Sequence, residues 1–192
     1  MTEAELLDAL DAAVEAALSP KRASHARSVA SLAAELCRRE GLEPALGRVA
    51  GLAHDLCREL PASEQAALAA LCPVLEAREL ASEPRFAHGP AAATLLAQRF
   101  GVANADVLEA VAFHTLPKSG CGVLTRILYL ADKYEPGRKH VDTAERERIL
   151  ALSLDAAFAA AVRGVVAWIR TEGLPLAPQS ADLYNAVQES QP

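Results

Sequence analysis

Aromatic residues are scarce in this chain: four Phe, three Tyr and one Trp among 192 residues. β-Branched residues are also few, while Ala and Leu dominate. Sheets are built mostly from what is missing here, and helices from what is abundant, because Ala and Leu lose little conformational freedom in a helix. The composition therefore predicts an all-α fold. Positive charge is in deficit as well, with 19 Lys and Arg against 25 Asp and Glu and a net charge of -6. That argues against the broad basic footprint by which proteins hold nucleic acid, so no nucleic-acid partner is expected. No apolar stretch reaches the roughly 20 residues of a membrane helix. The richest, Ala156 to Ile169, is broken by Arg163. Cys37, Cys57, Cys72 and Cys121 lie 20, 15 and 49 residues apart, so none forms the C-x-x-C pair of a zinc knuckle or redox motif. They read as reduced thiols serving as small apolar residues. The opening Met1-Thr2-Glu3-Ala4-Glu5 is acidic and has neither the basic region nor the apolar run of a signal peptide. A cytoplasmic chain without a membrane partner is the expectation.

Hydrophobic residues make up 52% of the sequence, ample for one core in a chain of this length. A single helical domain over 1–192 is expected, with an N-terminal helix in 1–19, a core in 20–140 and C-terminal helices in 141–192. Apolar spacing predicts helices over Glu3 to Leu18, Lys21 to Glu40 and Pro44 to Glu59. Two short ones follow, over Ser63 to Leu71 and Pro73 to Leu80, and then a turn at Ser82-Glu83-Pro84. Pro90 can open a helix that stops at Phe100-Gly101, and Asn104 can cap another that ends around His114-Thr115. Leu116 to Gly120 reads as a loop, Val123 to Tyr134 as a helix, and Glu135-Pro136-Gly137-Arg138 as a break. Asp142 followed by Glu145 forms a capping-box variant. A long helix from Leu154 to Arg170 and a short one after Ser180 complete the chain. The N-terminal helix can serve either as the arm of a homodimer or as a cover for its own core.

Chemistry-bearing residues fall near the ends of these apolar elements. His25 lies one turn into its helix, and His54-Asp55 lies near the end of the third. His88 is at a helix start, His114 at a helix end, and Asp132 within the apolar run from Ile127. Helices of a bundle can point such ends into one pocket. Buried carboxylates and imidazoles are costly without partners, and a divalent cation would satisfy several together. Imidazole with carboxylate suits iron, manganese or zinc. Taken singly, each histidine reads more readily as a hydrogen-bonded core residue than as a ligand, and Asp132 equally as a helix-capping or salt-bridged acid. His140, beside Arg138 and Lys139 in a polar loop, is assigned to solvent.

The ordered set His25, His54-Asp55, His88, His114 and Asp132, each on a separate predicted element, resembles the HD-domain phosphohydrolase superfamily. That family is all-helical and is named for its His-Asp doublet. The resemblance implies two metal ions in the bundle, one on His25, His54, Asp55 and Asp132, the other on His88 and His114. Asp55 would be the bridging, catalytic carboxylate. The segments Gly51 to Pro61, Ala87-His88-Gly89-Pro90, Phe113-His114-Thr115 and Ile127 to Arg138 look more narrowly like the YqeK family. Its members are assigned as symmetrical bis(5′-nucleosyl)-tetraphosphatases. This implies a nucleotide substrate, diadenosine tetraphosphate, cleaved to two ADP by water that the ions activate, with iron the favoured metal. Arg58, Lys118, Lys133 and Arg138 are the candidate phosphate-binding cations, and Phe86, Phe113, Tyr129 and Tyr134 the available stacking surfaces, at least two of them expected in the core instead. Arg58 stands where the family has Lys, and Leu116-Pro117 where it has Thr-Gly. Two other readings fit the same residues: a phosphohydrolase for another nucleotide, and a regulatory module that binds a nucleotide without cleaving it. The G-Y-P tripeptide of the cyclic-dinucleotide branch is missing.

Overall fold

The computed structural model describes residues 1–75, 86–139 and 141–189. Among these there are ten α-helices and no strand: α1 (Glu3–Ala17), α2 (Pro20–Arg39), α3 (Pro44–Ala53), α4 (Ala62–Ala69), α5 (His88–Phe100), α6 (Ala105–Phe113), α7 (Val123–Tyr134), α8 (Thr143–Leu150), α9 (Leu154–Thr171) and α10 (Pro178–Glu189). The all-α expectation is met. The turn expected at Ser82-Glu83-Pro84, most of the helix expected from Pro73, and His140 lie outside the described residues.

Helix boundaries follow local chemistry. Asn104 caps α6 by accepting from the Val107 amide, and Asp142 caps α8 by accepting from the Glu145 amide. Thr2 and Glu5 close a reciprocal capping box at the start of α1. Gly101 ends α5 in the left-handed conformation, where the lack of a Cβ removes the steric cost. The third helix is shorter than expected. It stops at Ala53, and His54 to Glu59 continue as tight turns with bonds such as Arg58 N–H to Asp55 C=O. The His54 ring accounts for this, because its Nδ1 donates to the Gly51 carbonyl that would otherwise take the next helical amide.

One apolar core runs through the bundle, from Leu10 and Val14 of α1 to Leu183 of α10. Leu10 and Val14 are fully buried, so α1 covers its own core. Burial of two such side chains stabilises this attachment by about 3–6 kcal/mol before ordering costs. All four cysteines are buried free thiols, as their spacing suggested.

Small residues set the closest helix contacts. A Cβ on Gly51 would lie 2.4 Å from Ala30 Cα, and one on Gly47 would lie 2.6 Å from the Ala33 carbonyl carbon. These two glycines, one turn apart on α3, let α2 and α3 pack backbone against backbone. Gly89 does the same for α5 and α6, where a Cβ would lie 2.7 Å from the Ala112 carbonyl oxygen. The first approach brings His25 towards His54, and the second brings His88 towards His114.

Candidate metal centre

Six predicted residues converge. The rings of His25 and His54 lie 5.3 Å apart, those of His54 and His114 4.9 Å, and those of His114 and His88 5.1 Å, each pair edge to face. His54, His88, His114, Asp55 and Asp132 are buried, and His25 is half-buried at the rim.

Second partners fix the direction in which each ring presents its lone pair. His54 Nδ1 donates to Gly51 C=O at 2.7 Å, and His114 Nδ1 donates to Val111 C=O at 2.8 Å. His25 Nδ1 donates to Glu135 Oε1 at 3.1 Å. Each bond places a proton on Nδ1 and turns Nε2 inward, the arrangement of histidines that ligate metals. His54 Nε2 is buried and has no hydrogen-bond partner, while Asp55 Oδ2 and Asp132 Oδ1 lie 3.7 and 3.8 Å away. Those distances are too long for hydrogen bonds. They suit donors that share a cation with bonds of about 2.0–2.2 Å. An orphaned buried imidazole nitrogen beside two carboxylates therefore fits a divalent ion.

Asp55 lies at the junction of two donor sets. Its Oδ1 is 3.6 Å from His88 Nε2 and 3.8 Å from His114 Nε2, while Oδ2 faces His54 and Arg22. Ligand atoms of His25, His54 and Asp55 cluster within 4.8 Å of one another, and so do those of Asp55, His88 and His114. Asp132 completes the first group through its 3.1 Å contact with His25 Nε2.

The electrostatics favour cation binding. Burial pushes the Asp55 carboxyl up, but the neighbouring His54, His114 and His88 outweigh it and hold the group at about 2. Asp132 also stays well below the usual carboxylate range: its burial is overcome by the His25 hydrogen bond and then by Lys133. Burial, reinforced by His114 and Arg58, pushes His88 down to about 2. Burial and His54 push His114 down to about 4. Neutral imidazoles beside ionised carboxylates form the donor set an oxygen- and nitrogen-loving divalent ion requires.

Among the four predicted phosphate-binding cations, three touch this cluster. Arg58 Nη1 lies 2.9 and 2.8 Å from the two ring nitrogens of His88. Arg138 Nε donates to the Asp132 carbonyl at 2.7 Å, and its Nη2 contacts both Asp132 Oδ1 and His25 Nε2. Lys133 Nζ is 3.6 Å from Asp132 Oδ2 and 4.5 Å above the Tyr129 ring. Lys118 sits over the Phe113 ring at 4.0 Å. Of the four stacking candidates, Phe113, Tyr129 and Tyr134 are core residues, and only Phe86 is half-buried.

Two participants escaped the sequence reading. Arg22 binds Asp55 Oδ2 at 3.1 Å and Glu59 Oε1 at 3.2 Å. Its position three residues before His25, on the same helix face, was the available signal. Glu135 is buried and orients His25; three residues after Asp132, it marked itself only as one letter of a turn motif.

Comparison with known proteins points to one family and fold. Residues 22–137 match the family model described as HD domain. A Bacillus subtilis protein named symmetrical bis(5′-nucleosyl)-tetraphosphatase is 26% identical over 174 residues, covering 91% of this chain and 93% of that protein. A protein of the same name from Halalkalibacterium halodurans is 23% identical over 175 residues, covering 88% and 89%. In fold, the chain matches the crystal structure of a predicted HD superfamily hydrolase involved in NAD metabolism from Clostridium acetobutylicum. The TM-score is 0.82 at 23% identity, over 96% of this chain and 97% of that one.

Proposed function

The chain belongs to the HD domain family, and on that premise we propose that it is a metal-dependent phosphohydrolase that cleaves dinucleoside tetraphosphates symmetrically. With diadenosine tetraphosphate and one water, the products are two ADP. The observation that carries this reading is Asp55, whose two oxygens face separate histidine sets inside a rim of arginines. The names of the full-length relatives support the substrate class.

His25, His54, Asp55 and Asp132 would hold one ion, and His88 and His114 a second that shares Asp55. Iron is the favoured metal, and manganese or zinc also suits these ligands. When bound, such ions supply Lewis acidity to phosphate oxygens and to the attacking water. The chain's own residues do the rest. Asp55 remains ionised at neutral pH and contributes an oxygen to each donor set. Arg22, Arg58 and Arg138 are positioned to neutralise phosphate oxygens as negative charge grows in the transition state, with Lys133 and Lys118 further out. We place this activity in a single cytoplasmic domain comprising the whole chain; among the described residues no helix is long and apolar enough to cross a membrane.

The test is product analysis with diadenosine tetraphosphate, alongside metal content, chelation and Asp55→Ala. ADP as sole product, lost on chelation and in the variant, supports the proposal. Bound metal without ADP release redirects the search to other nucleotides. Absence of both metal and turnover overturns it.

A further inference from the structure

A second recess opens at the far end of α7, away from Asp132. It is a cleft of about 620 Å³ between the Ser119–Cys121 loop, the start of α7, the first half of α9 and the end of α10. That volume falls in the range of small-molecule sites. Its walls differ in chemistry. Phe158, Leu183 and Val187 form an apolar side, whereas Arg126, Arg163 and Ser119 supply donors.

The two arginines are unusual. Arg163 Nη1 is buried without a hydrogen-bond partner, and no carboxylate lies within salt-bridge distance of its guanidinium among the described residues. Arg126 spends Nη1 on the exposed Asp155, while its Nε is buried and unbonded. Guanidinium donors do not lose their charge, and each nitrogen buried without an acceptor carries an uncompensated desolvation cost. The start of α9 adds to this field. Its N-cap Ser153 makes no side-chain cap bond and lines the cleft with Asp155 and Ala156, so the positive end of an 18-residue helix faces the same space.

We propose that this cleft binds a phosphorylated small molecule with a planar or apolar body, of the size of a nucleoside diphosphate. The phosphate accepts from Arg163, Arg126 and the first turn of α9, displacing the exposed Asp155 carboxylate from Arg126. The planar part rests on Phe158, Leu183 and Val187. The site is separate from the histidine–aspartate cluster and does not depend on the hydrolase reading.

The experiment is calorimetric titration of the full-length protein as purified with ADP, and separately with inorganic pyrophosphate. ADP should bind, and Arg163→Gln should weaken binding at least about 10-fold, the effect of losing a charge-assisted hydrogen bond. Asp155→Asn should tighten it, because a competing carboxylate is removed. Arg163→Gln should leave the thermal transition unchanged or raise it, and should leave hydrolysis of diadenosine tetraphosphate intact. The proposal is overturned if neither probe binds, or if ADP binding is lost in Arg58→Ala yet unaffected by Arg163→Gln. It is also overturned if Asp155→Asn weakens binding. Absence of tetraphosphate hydrolysis alone would redirect the substrate assignment of the metal centre and leave the cleft untouched.

Discussion

Replacing Gly51 by Ala should destabilise the protein, although the same change in most helices does the opposite. Alanine is favoured over glycine in a helix interior by about 1 kcal/mol. At Gly51 that gain meets a wall. The new Cβ would lie 2.4 Å from Ala30 Cα and 2.6 Å from Ala30 N, whereas ordinary contact begins near 3.4 Å. Both atoms are backbone, so no rotamer change relieves the clash, and α2 and α3 must part by about 1 Å. Overpacking of this kind costs about 1–3 kcal/mol, occasionally more. With a rigid neighbour the upper end applies, which leaves a net loss of about 2 kcal/mol after the propensity gain. Gly164 of α9 is the internal control, because a Cβ there meets nothing within 4 Å. Gly164→Ala should therefore gain about 0.5–1 kcal/mol. Urea unfolding of both variants in metal-free form, followed by circular dichroism, gives the two free energies directly. Shifts of the same sign, or a stabilised Gly51→Ala, would refute the argument that glycine is there to admit the Ala30 backbone. Since His54 lies three residues beyond Gly51, the destabilised variant should also bind metal more weakly.

Other outcomes follow from the same geometry. Glu135→Ala removes the acceptor that orients His25. Metal affinity, measured by chelator competition, should fall about 10–100-fold, and Glu135→Gln should recover part of it; unchanged affinity in a folded Glu135→Ala would dismiss this role. In metal-free protein, acid should erode stability well before the carboxylates titrate. His88 and His114 have folded values of about 2 and about 4 against 6.5 for the ordinary ring, so the unfolded chain takes up protons first. Their contribution is complete above pH 6.5 and should decline by about 2 kcal/mol each by pH 5. His25 opposes this: burial lowers its value, but the hydrogen bond to Asp132, the Asp132 charge and the Glu135 hydrogen bond together raise it, so it stabilises below pH 6.5 and stops doing so as pH climbs. A flat unfolding free energy between pH 6.5 and 5 would contradict the balance. Arg22→Gln should raise KM for diadenosine tetraphosphate about 10-fold while metal content stays constant. A fall in metal content instead would recast Arg22 as a support for Asp55.

Much of this was legible without coordinates because it is local. Val123 to Tyr134 was readable to the residue, since its apolar spacing is strict and Glu135-Pro136-Gly137 cannot continue it. The caps at Asn104 and Asp142 act over three residues, within reach of a pattern. The histidine–aspartate cluster was legible because its residues break otherwise apolar elements. What escaped depends on partners far along the chain. Glu135 and His25 are 110 positions apart, and neither carries a local sign of the other. The early end of α3 was hidden for a different reason: it follows from the orientation of the His54 ring, which periodicity does not report. The expectation that at least two of the four candidate stacking aromatics belong to the core is met by Phe113, Tyr129 and Tyr134, because a chain with so few large side chains needs them to fill the interior.

His54 and His114 share a device: each caps its own helix and is locked by the carbonyl three residues earlier. Their tautomers are thus decided within a single turn of chain, as soon as α3 and α6 form. His25 has no such arrangement and acquires its orientation only when α2 docks beside α7 and Glu135. The centre consequently has an order of assembly, with two donors set early by local structure and one set late by tertiary closure. Partial opening of α2 would release His25 and leave the other two rings aimed inward. Hydrogen exchange along α2 would then report the lifetime of the complete centre, independently of the stability of the bundle around it.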